Sequence, residues 1–304
     1  MDTRKVLVFG ATGTQGHPVV EAMRERGYRV RAATRDVAGA ESELPGDVEC
    51  FDADMGDLDA VEEATEGMDA VFFHLPILPD DRLAPHYLSN VVTACDRNGV
   101  RRLIFSTSGF CPDAMPDSGF VTGMRQATRK VLGREGEAVV LRPTLYLANL
   151  VWPHIVSEIR DYGRLSYPPL SYRRRISWTA TEDQGTIAAA CVEADVAGEI
   201  LDIASPEPAT GPELCRMLAD VYGREVHYAP QSPEDFALSL GKRAGSAEAG
   251  WAIAELYRGI DTLPADGAII DTAPIEERLG VTLTPVSQWM EDRLKWLLEV
   301  TGQT

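Results

Sequence analysis

The sequence predicts an α/β fold built on a doubly wound parallel sheet, and two observations predict it. The chain opens with an apolar run, Lys5-Val6-Leu7-Val8-Phe9, and passes through glycines spaced G-x-x-G-x-x-G (Gly10, Gly13, Gly16). There follows a segment in which Val19, Val20 and Met23 recur at helical spacing, so the unit reads strand, turn, helix. Short β-branched and aromatic runs then alternate with helical patterns as far as Pro143. Such alternation, with mostly short connections, defines a parallel sheet covered on both faces, whose ligands bind at the carboxyl ends of the strands.

The first turn carries the clearest chemistry. Gly10 permits a sharp exit from the strand, Gly13 lets the backbone approach a ligand with no Cβ in the way, and Gly16 lets the helix pack close to the sheet. The loop Gly10-Ala11-Thr12-Gly13-Thr14-Gln15-Gly16 leads into a helix N-terminus, whose free N–H groups and dipole attract an anion such as a pyrophosphate. Glycines also mark ordinary βα turns; the place of this one, between strand and helix at the start of the chain, points to a dinucleotide.

The following elements extend the same sheet. Residues 29–35 form a second strand after Gly27, and its end bears on the cofactor. An acidic residue there accepts from the ribose 2′-OH of NAD, whereas an arginine accommodates the 2′-phosphate of NADP. Arg35 favours NADP(H); Asp36, at about the spacing of an NAD-type carboxylate, keeps NAD(H) as the second choice. A third strand over 48–54 leads to a helix over 58–66, with Asp54 and Met55 placed to contact the adenine, although Asp54 also suits a simple turn. A fourth strand over 68–76 ends at His74, Leu75 and Pro76 and precedes a helix over 85–98; a fifth, 102–108, ends in Ser106, Thr107 and Ser108. Leu75 and Pro76 join the expected cofactor contacts, and His74, at a strand end, the substrate contacts.

A helix over 121–133, a sixth strand over 138–143 and a seventh over 198–204 complete the sheet. Residues 145–172, rich in Tyr, Trp and Pro, read as a loop-built pocket rather than another βα unit. Within it and just beyond, Tyr146, Trp152, Tyr162, Tyr167, Tyr172 and Trp178 suit either a flat aromatic substrate or an inter-domain core. Helical patterns follow at 212–222, 233–242, 247–257 and 286–298.

Composition narrows the function classes. The chain of 304 residues is long enough for about two domains, one of them assembled from separated segments. With 47 acidic against 29 basic side chains the net charge is −18, which repels phosphate backbones and argues against nucleic acid. The run Arg173-Arg174-Arg175 is too short to reverse that. No run reaches the ~18 apolar residues of a membrane span and no signal-peptide pattern precedes the first strand, so a cytoplasmic protein is expected. The 5 cysteines and 5 histidines are dispersed, without metal-ligand spacing, so neither a metal site nor a disulfide framework is expected.

Several of these stretches together resemble the NmrA-like group of atypical short-chain dehydrogenases: Gly10 to Gly16, Val30-Arg31-Ala32-Ala33-Thr34-Arg35-Asp36, Leu141-Arg142-Pro143-Thr144 with Asn149, and Glu277-Arg278-Leu279-Gly280. The resemblance covers nearly the whole chain. It implies an NADP-preferring Rossmann domain over 1–150, to which 176–204 return, and a smaller, mostly helical substrate domain from 151–175 and 205–304. Members are either reductases or redox-sensing regulators without catalysis.

The chain also departs from related extended dehydrogenases, which carry a serine and then Tyr-x-x-x-Lys as acid–base machinery. Aligned on Arg142-Pro143, the serine falls on Ser108, the tyrosine on Val121 and the lysine on Arg125. Valine has no proton to give, and arginine keeps the charge but has too high a pKa to shuttle a proton, which leaves Arg125 a ribose-positioning role. Tyr146, ranked first, Ser108, His74 and a water are then the candidate proton donors, with Tyr146, Asn149, Trp152 and His74 as substrate contacts. The reading is an NADPH-dependent reductase of a small conjugated or aromatic carbonyl, quinone or imine, because hydride transfer to such acceptors needs positioning more than strong acid. The alternatives are a non-catalytic NADP(H) sensor working through a protein partner and a redox-neutral isomerase or cyclase.

Overall fold

The computed structural model describes residues 3–76, 83–168, 172–244 and 247–300, the side chains at 241–249, 299 and 300 excepted. The first half runs β1 (Lys5–Phe9), α1 (Gly16–Glu25), β2 (Arg29–Thr34), α2 (Val37–Glu43), β3 (Glu49–Asp52), α3 (Leu58–Thr65), β4 (Ala70–His74), α4 (Ala84–Arg97), β5 (Arg102–Ser106), α5 (Gly119–Leu132) and β6 (Glu137–Pro143). The second half continues with β7 (Leu145–Tyr146), a 3-10 turn (Leu147–Val151), α6 (Pro153–Tyr162), β8 (Arg164–Tyr167), β9 (Trp178–Thr179), α7 (Thr181–Cys191) and β10 (Ile200–Ile203). Then come α8 (Gly211–Tyr222), β11 (His227–Pro230), α9 (Pro233–Ala244), α10 (Ala247–Thr262), α11 (Ala273–Leu279) and α12 (Val286–Trp289); a π turn (Met290–Leu294) leads into α13 (Lys295–Val300).

Seven parallel strands in the order β10-β6-β5-β4-β1-β2-β3 form the central sheet. The order reverses between β1 and β4, and there the crevice opens at the strands' carboxyl ends. Successive residues of a strand face opposite sides, and both sides are buried. Val6 and Val8 pack with Phe72 and Ile104 under α1 and α7, while Leu7 and Phe9 pack with Val71, Phe73 and Phe105 under α3 to α5. That is why β1 reads as a continuous apolar run rather than an alternating one.

A third apolar cluster gathers Tyr167, Trp178, Leu214, Leu218, Phe236 and Trp289, and draws in Phe110, Met115 and Val121 from before and within α5. In the other direction, Leu279 and Leu283 pack into the sheet core. Residues 145–172 are not the loop that their composition predicts: Pro153 starts α6, Ile155, Val156 and Ile159 bury one face, and Gly163 (φ 62°) ends it. Tyr167 and Trp178 from the expected aromatic pocket are core residues, whereas Tyr162 and Tyr172 are exposed. The arginine run is structural at its end: Arg174 donates to the carbonyls of Asp261, Leu263 and Pro264, and Arg175 pairs with Glu213. The five cysteines are free thiols. No helix among the described residues is long and apolar enough to cross a membrane, and no group of side chains among them could hold a metal ion.

The C-terminal segment is pinned to α7 by Asp183, whose buried carboxylate accepts from Ser205 Oγ (2.5 Å) and from the Thr284 N–H (3.1 Å). Burial pushes this carboxyl up to about 6, from an ordinary 3.8. A raised carboxyl pKa means that the fold holds the proton more tightly than the unfolded chain does. Its contribution to stability is therefore full below 3.8 and is lost as pH rises through about 6. The fall in stability between about pH 4 and pH 7 that this carboxyl causes is expected to be absent in Asp183→Asn, measured by urea unfolding at each pH.

Candidate cofactor cleft and reaction site

The glycine loop is shaped by contacts that exclude side chains. Gly10 has φ +68°, and a Cβ there would lie 2.9 Å from His74 Nε2; a Cβ on Gly16 would lie 2.1 Å from the Gly10 carbonyl oxygen. The Gly13 N–H closes the turn onto that same oxygen at 2.9 Å. No side chain caps α1, and Pro18 has no N–H to offer. The N–H groups of Thr12, Thr14 and Gln15 make no hydrogen bond among the described residues. Together with the helix N-terminus these donors form a cradle for an anion.

His74, at the end of β4, lies against this loop, and Leu75 and Pro76 follow it in the chain. His74 Nδ1 lies 3.3 Å from the Leu75 carbonyl, so it carries the ring proton, and the buried Nε2 beside Gly10 has no partner. Burial lowers the His74 pKa and keeps the ring neutral. An orphaned buried nitrogen next to an open cradle is what a site completed by a polar ligand would show. His74 is thus part of the cradle wall.

The end of β2 separates the two rival cofactor determinants. Asp36 caps α2, a helix that the sequence pattern did not suggest, by accepting from the Gly39 N–H at 3.0 Å. Its carboxylate is engaged by the fold. Arg35 is exposed and lies 3.8 Å from Asp54. Asp54 also accepts from the Gly56 N–H at 2.7 Å, which is the turn-forming role, and the Met55 carbonyl accepts from Asn90.

A hydroxyl and amide network joins the loop to the second half of the chain. The buried Tyr146 hydroxyl lies 2.8 Å from Gln15 Oε1 and 2.6 Å from Gln184 Oε1, with Ser106 Oγ at 3.4 Å. Ser108, held at φ 56°, exchanges contacts with the Gln15 amide at 3.1 and 3.2 Å, and its N–H donates to Ser106 Oγ. A phenol has one proton and cannot serve two carbonyls, so one glutamine must present its NH2. With Gln184 Oε1 toward the phenol its Nε2 is buried without a partner, whereas the opposite orientation of this amide gives Tyr146 and Ser106 a donor. Desolvation raises the Tyr146 pKa, so the phenol keeps its proton throughout the neutral range.

Arg125, expected to position the ribose, is held by other partners. Its guanidinium donates to Asp117 and to the carbonyls of Pro112, Asp113 and Met115, and none of these partners belongs to the glycine loop. Arg125 secures the segment that leads into α5. Val121, at the aligned tyrosine position, is wholly buried in the third apolar cluster. Asn149 donates to the Tyr167 hydroxyl at 3.0 Å, and Trp152 lines a cavity in the second half. Gln184 was missed by sequence reasoning, although a signal was there: it is a lone amide in a helix, Thr181–Cys191, that is buried on nearly every side.

A reversed-order parallel sheet with a glycine cradle at its switch point defines a Rossmann-type dinucleotide-binding protein. More narrowly, the chain belongs to the NmrA-like family, whose sequence pattern matches residues 2–276. Among its relatives, the NAD(P)H azoreductase of Xenophilus azovorans is 26% identical over 273 residues, covering 88% of this chain and 91% of that protein. Two solved structures share the fold at 20% identity. Triphenylmethane reductase of Citrobacter sp. complexed with NADP(H) has a TM-score of 0.76, covering 94% of this chain and 99% of that one. The NADPH-dependent quinone oxidoreductase QOR2 of Escherichia coli complexed with NADPH also has a TM-score of 0.76, with 94% and 98% covered.

Proposed function

We propose that the protein is an NADPH-dependent reductase of a small conjugated or aromatic acceptor, of the quinone, imine or azo type, with NADH as the poorer donor. The observation that carries this reading is the Tyr146 hydroxyl bonded to Gln15: a proton-bearing group attached to the cofactor loop itself. The azoreductase, dye reductase and quinone oxidoreductase among its relatives support the acceptor class.

When bound, NADPH supplies the hydride. The chain's own residues supply the rest. The N–H groups of Thr12, Thr14 and Gln15 and the α1 N-terminus hold the pyrophosphate, and Arg35 meets the 2′-phosphate. Tyr146, fixed by Gln15 and Gln184, donates to the acceptor heteroatom as negative charge develops there, and Ser108 orients Gln15. A phenol of raised pKa serves better as a hydrogen-bond donor than as a full proton donor, which suits acceptors whose reduced anion is already stabilised by conjugation.

Titrating wild type and Arg35→Ala with NADPH and NADH, followed by fluorescence, tests the cofactor assignment. NADPH is expected to bind more tightly to wild type, and its advantage should shrink about tenfold in the variant, as for loss of one charge-assisted contact to phosphate. An unchanged NADPH to NADH ratio would contradict it.

A further inference from the structure

We propose that the cavity between α6 and the α9–α10 pair is a second binding site, one for a planar aromatic carboxylate, separate from the cofactor cleft. The cavity measures about 910 Å³, and no residue of the glycine loop, nor Ser108 or Tyr146, lines it. One side is apolar: Trp152 and Phe236 lie with ring centres 6.3 Å apart and planes 18° from parallel, with Ile253 close by. Phe236 is buried and backs the half-buried Trp152, whose ring favours a flat ring system.

The other side is polar. Arg164 Nε donates to Glu158 Oε1 at 2.5 Å, and the Ser166 hydroxyl donates to the same oxygen at 2.7 Å. Glu158 is therefore occupied in fixing the plane of the guanidinium. The two Nη groups of Arg164 and the side-chain amide of Gln231 have no partner among the described residues. A rigid fork with its outer N–H pairs unspent is the geometry that grips a carboxylate. An aromatic acid thus satisfies both sides at once: its ring on Trp152, its carboxylate on Arg164 with Gln231 beside it.

Buried side chains pack behind this cavity. Phe236 packs on Tyr167 and Tyr257, whose hydroxyls are 2.7 Å apart, and Asn149 donates to Tyr167. Tyr146, three residues earlier, turns its hydroxyl to the glycine loop instead. Occupancy of the cavity does not require the cofactor, so this inference stands independently of the proposed reaction.

The test titrates the full-length protein with naphthoate and with its neutral carboxamide, by calorimetry and tryptophan fluorescence. Naphthoate is expected to bind, with Arg164→Gln weakening it at least ~10-fold, Gln231→Ala weakening it less, and the carboxamide binding as poorly to wild type as the acid does to Arg164→Gln. Gly13→Ala, which alters only the cofactor loop, should leave the naphthoate affinity unchanged, as should saturating NADPH. Undiminished binding to Arg164→Gln, equal binding of acid and carboxamide, or no binding to wild type would overturn the proposal. So would displacement by NADPH or by a reducible quinone, which would assign the ligand to the cofactor cleft. Failure of NADPH to bind would leave these outcomes unaltered and would count against the reductase reading alone.

Discussion

Gly16→Ala is expected to abolish measurable NADPH binding and to lower stability, whereas Gly13→Ala should abolish or cripple binding in a protein that folds nearly normally. The difference lies in what each new methyl meets. At Gly16 it would fall 2.1 Å from the Gly10 carbonyl oxygen and 2.6 Å from the carbonyl carbon, both backbone atoms of the turn. Neither can step aside without opening the β1–α1 connection, which should cost ~2–4 kcal/mol of stability and destroy the cradle. At Gly13 the nearest atom is the same oxygen at 3.2 Å, a contact that relaxes with a small shift. The methyl there instead occupies the space through which a pyrophosphate approaches the backbone, and a loss of affinity of ~100-fold is expected. Thermal unfolding beside NADPH titration separates the two effects. Equal affinity in Gly13→Ala and wild type would mean that the loop is an ordinary turn.

Tyr146→Phe is expected to lower kcat by ~100-fold or more while leaving NADPH affinity within a few-fold of wild type, in keeping with removal of a general acid. The ring keeps its packing and only the hydroxyl is lost. The missing hydroxyl also leaves the buried Gln184 amide with Ser106 alone, so ~1 kcal/mol of stability should go with it. Because burial raises the phenol above its ordinary 10.0, the wild-type rate should show no limb from tyrosine ionisation as pH rises towards that value. The split between kcat and stability decides the role: a merely packed tyrosine would lose stability and keep its turnover, measured at saturating NADPH.

Much of the cofactor side was legible because its constraints are local. A strand whose two faces are both buried shows as an unbroken apolar run, and a turn whose carbonyl oxygen lies 2.1 Å from a would-be Cβ must be glycine there. The NADP preference was ambiguous because Arg35 and Asp36 are neighbours; the fold separates them by giving Asp36 a helix to cap. Elsewhere composition misled. Tyr, Trp and Pro around residues 145–172 suggested a loop, although Pro153, Ile155, Val156, Ile159 and Gly163 spell a capped amphipathic helix. Arg125 was placed by alignment alone, and its destination is set by three carbonyls in the preceding segment, which no spacing rule reveals. Gln184 joins Tyr146 from 38 residues away, through the packing of α7. Contacts of that range are written in the topology rather than in any motif.

The most direct test of the central claim follows the loss of NADPH absorbance when the purified protein is offered a panel of quinones, imines and azo compounds. Turnover of at least one acceptor class, faster with NADPH than with NADH and lost in both Gly13→Ala and Tyr146→Phe, is the predicted result. Tight NADPH binding with no oxidation of the cofactor by any acceptor would contradict it and would make the protein a binder of the dinucleotide rather than a reductase.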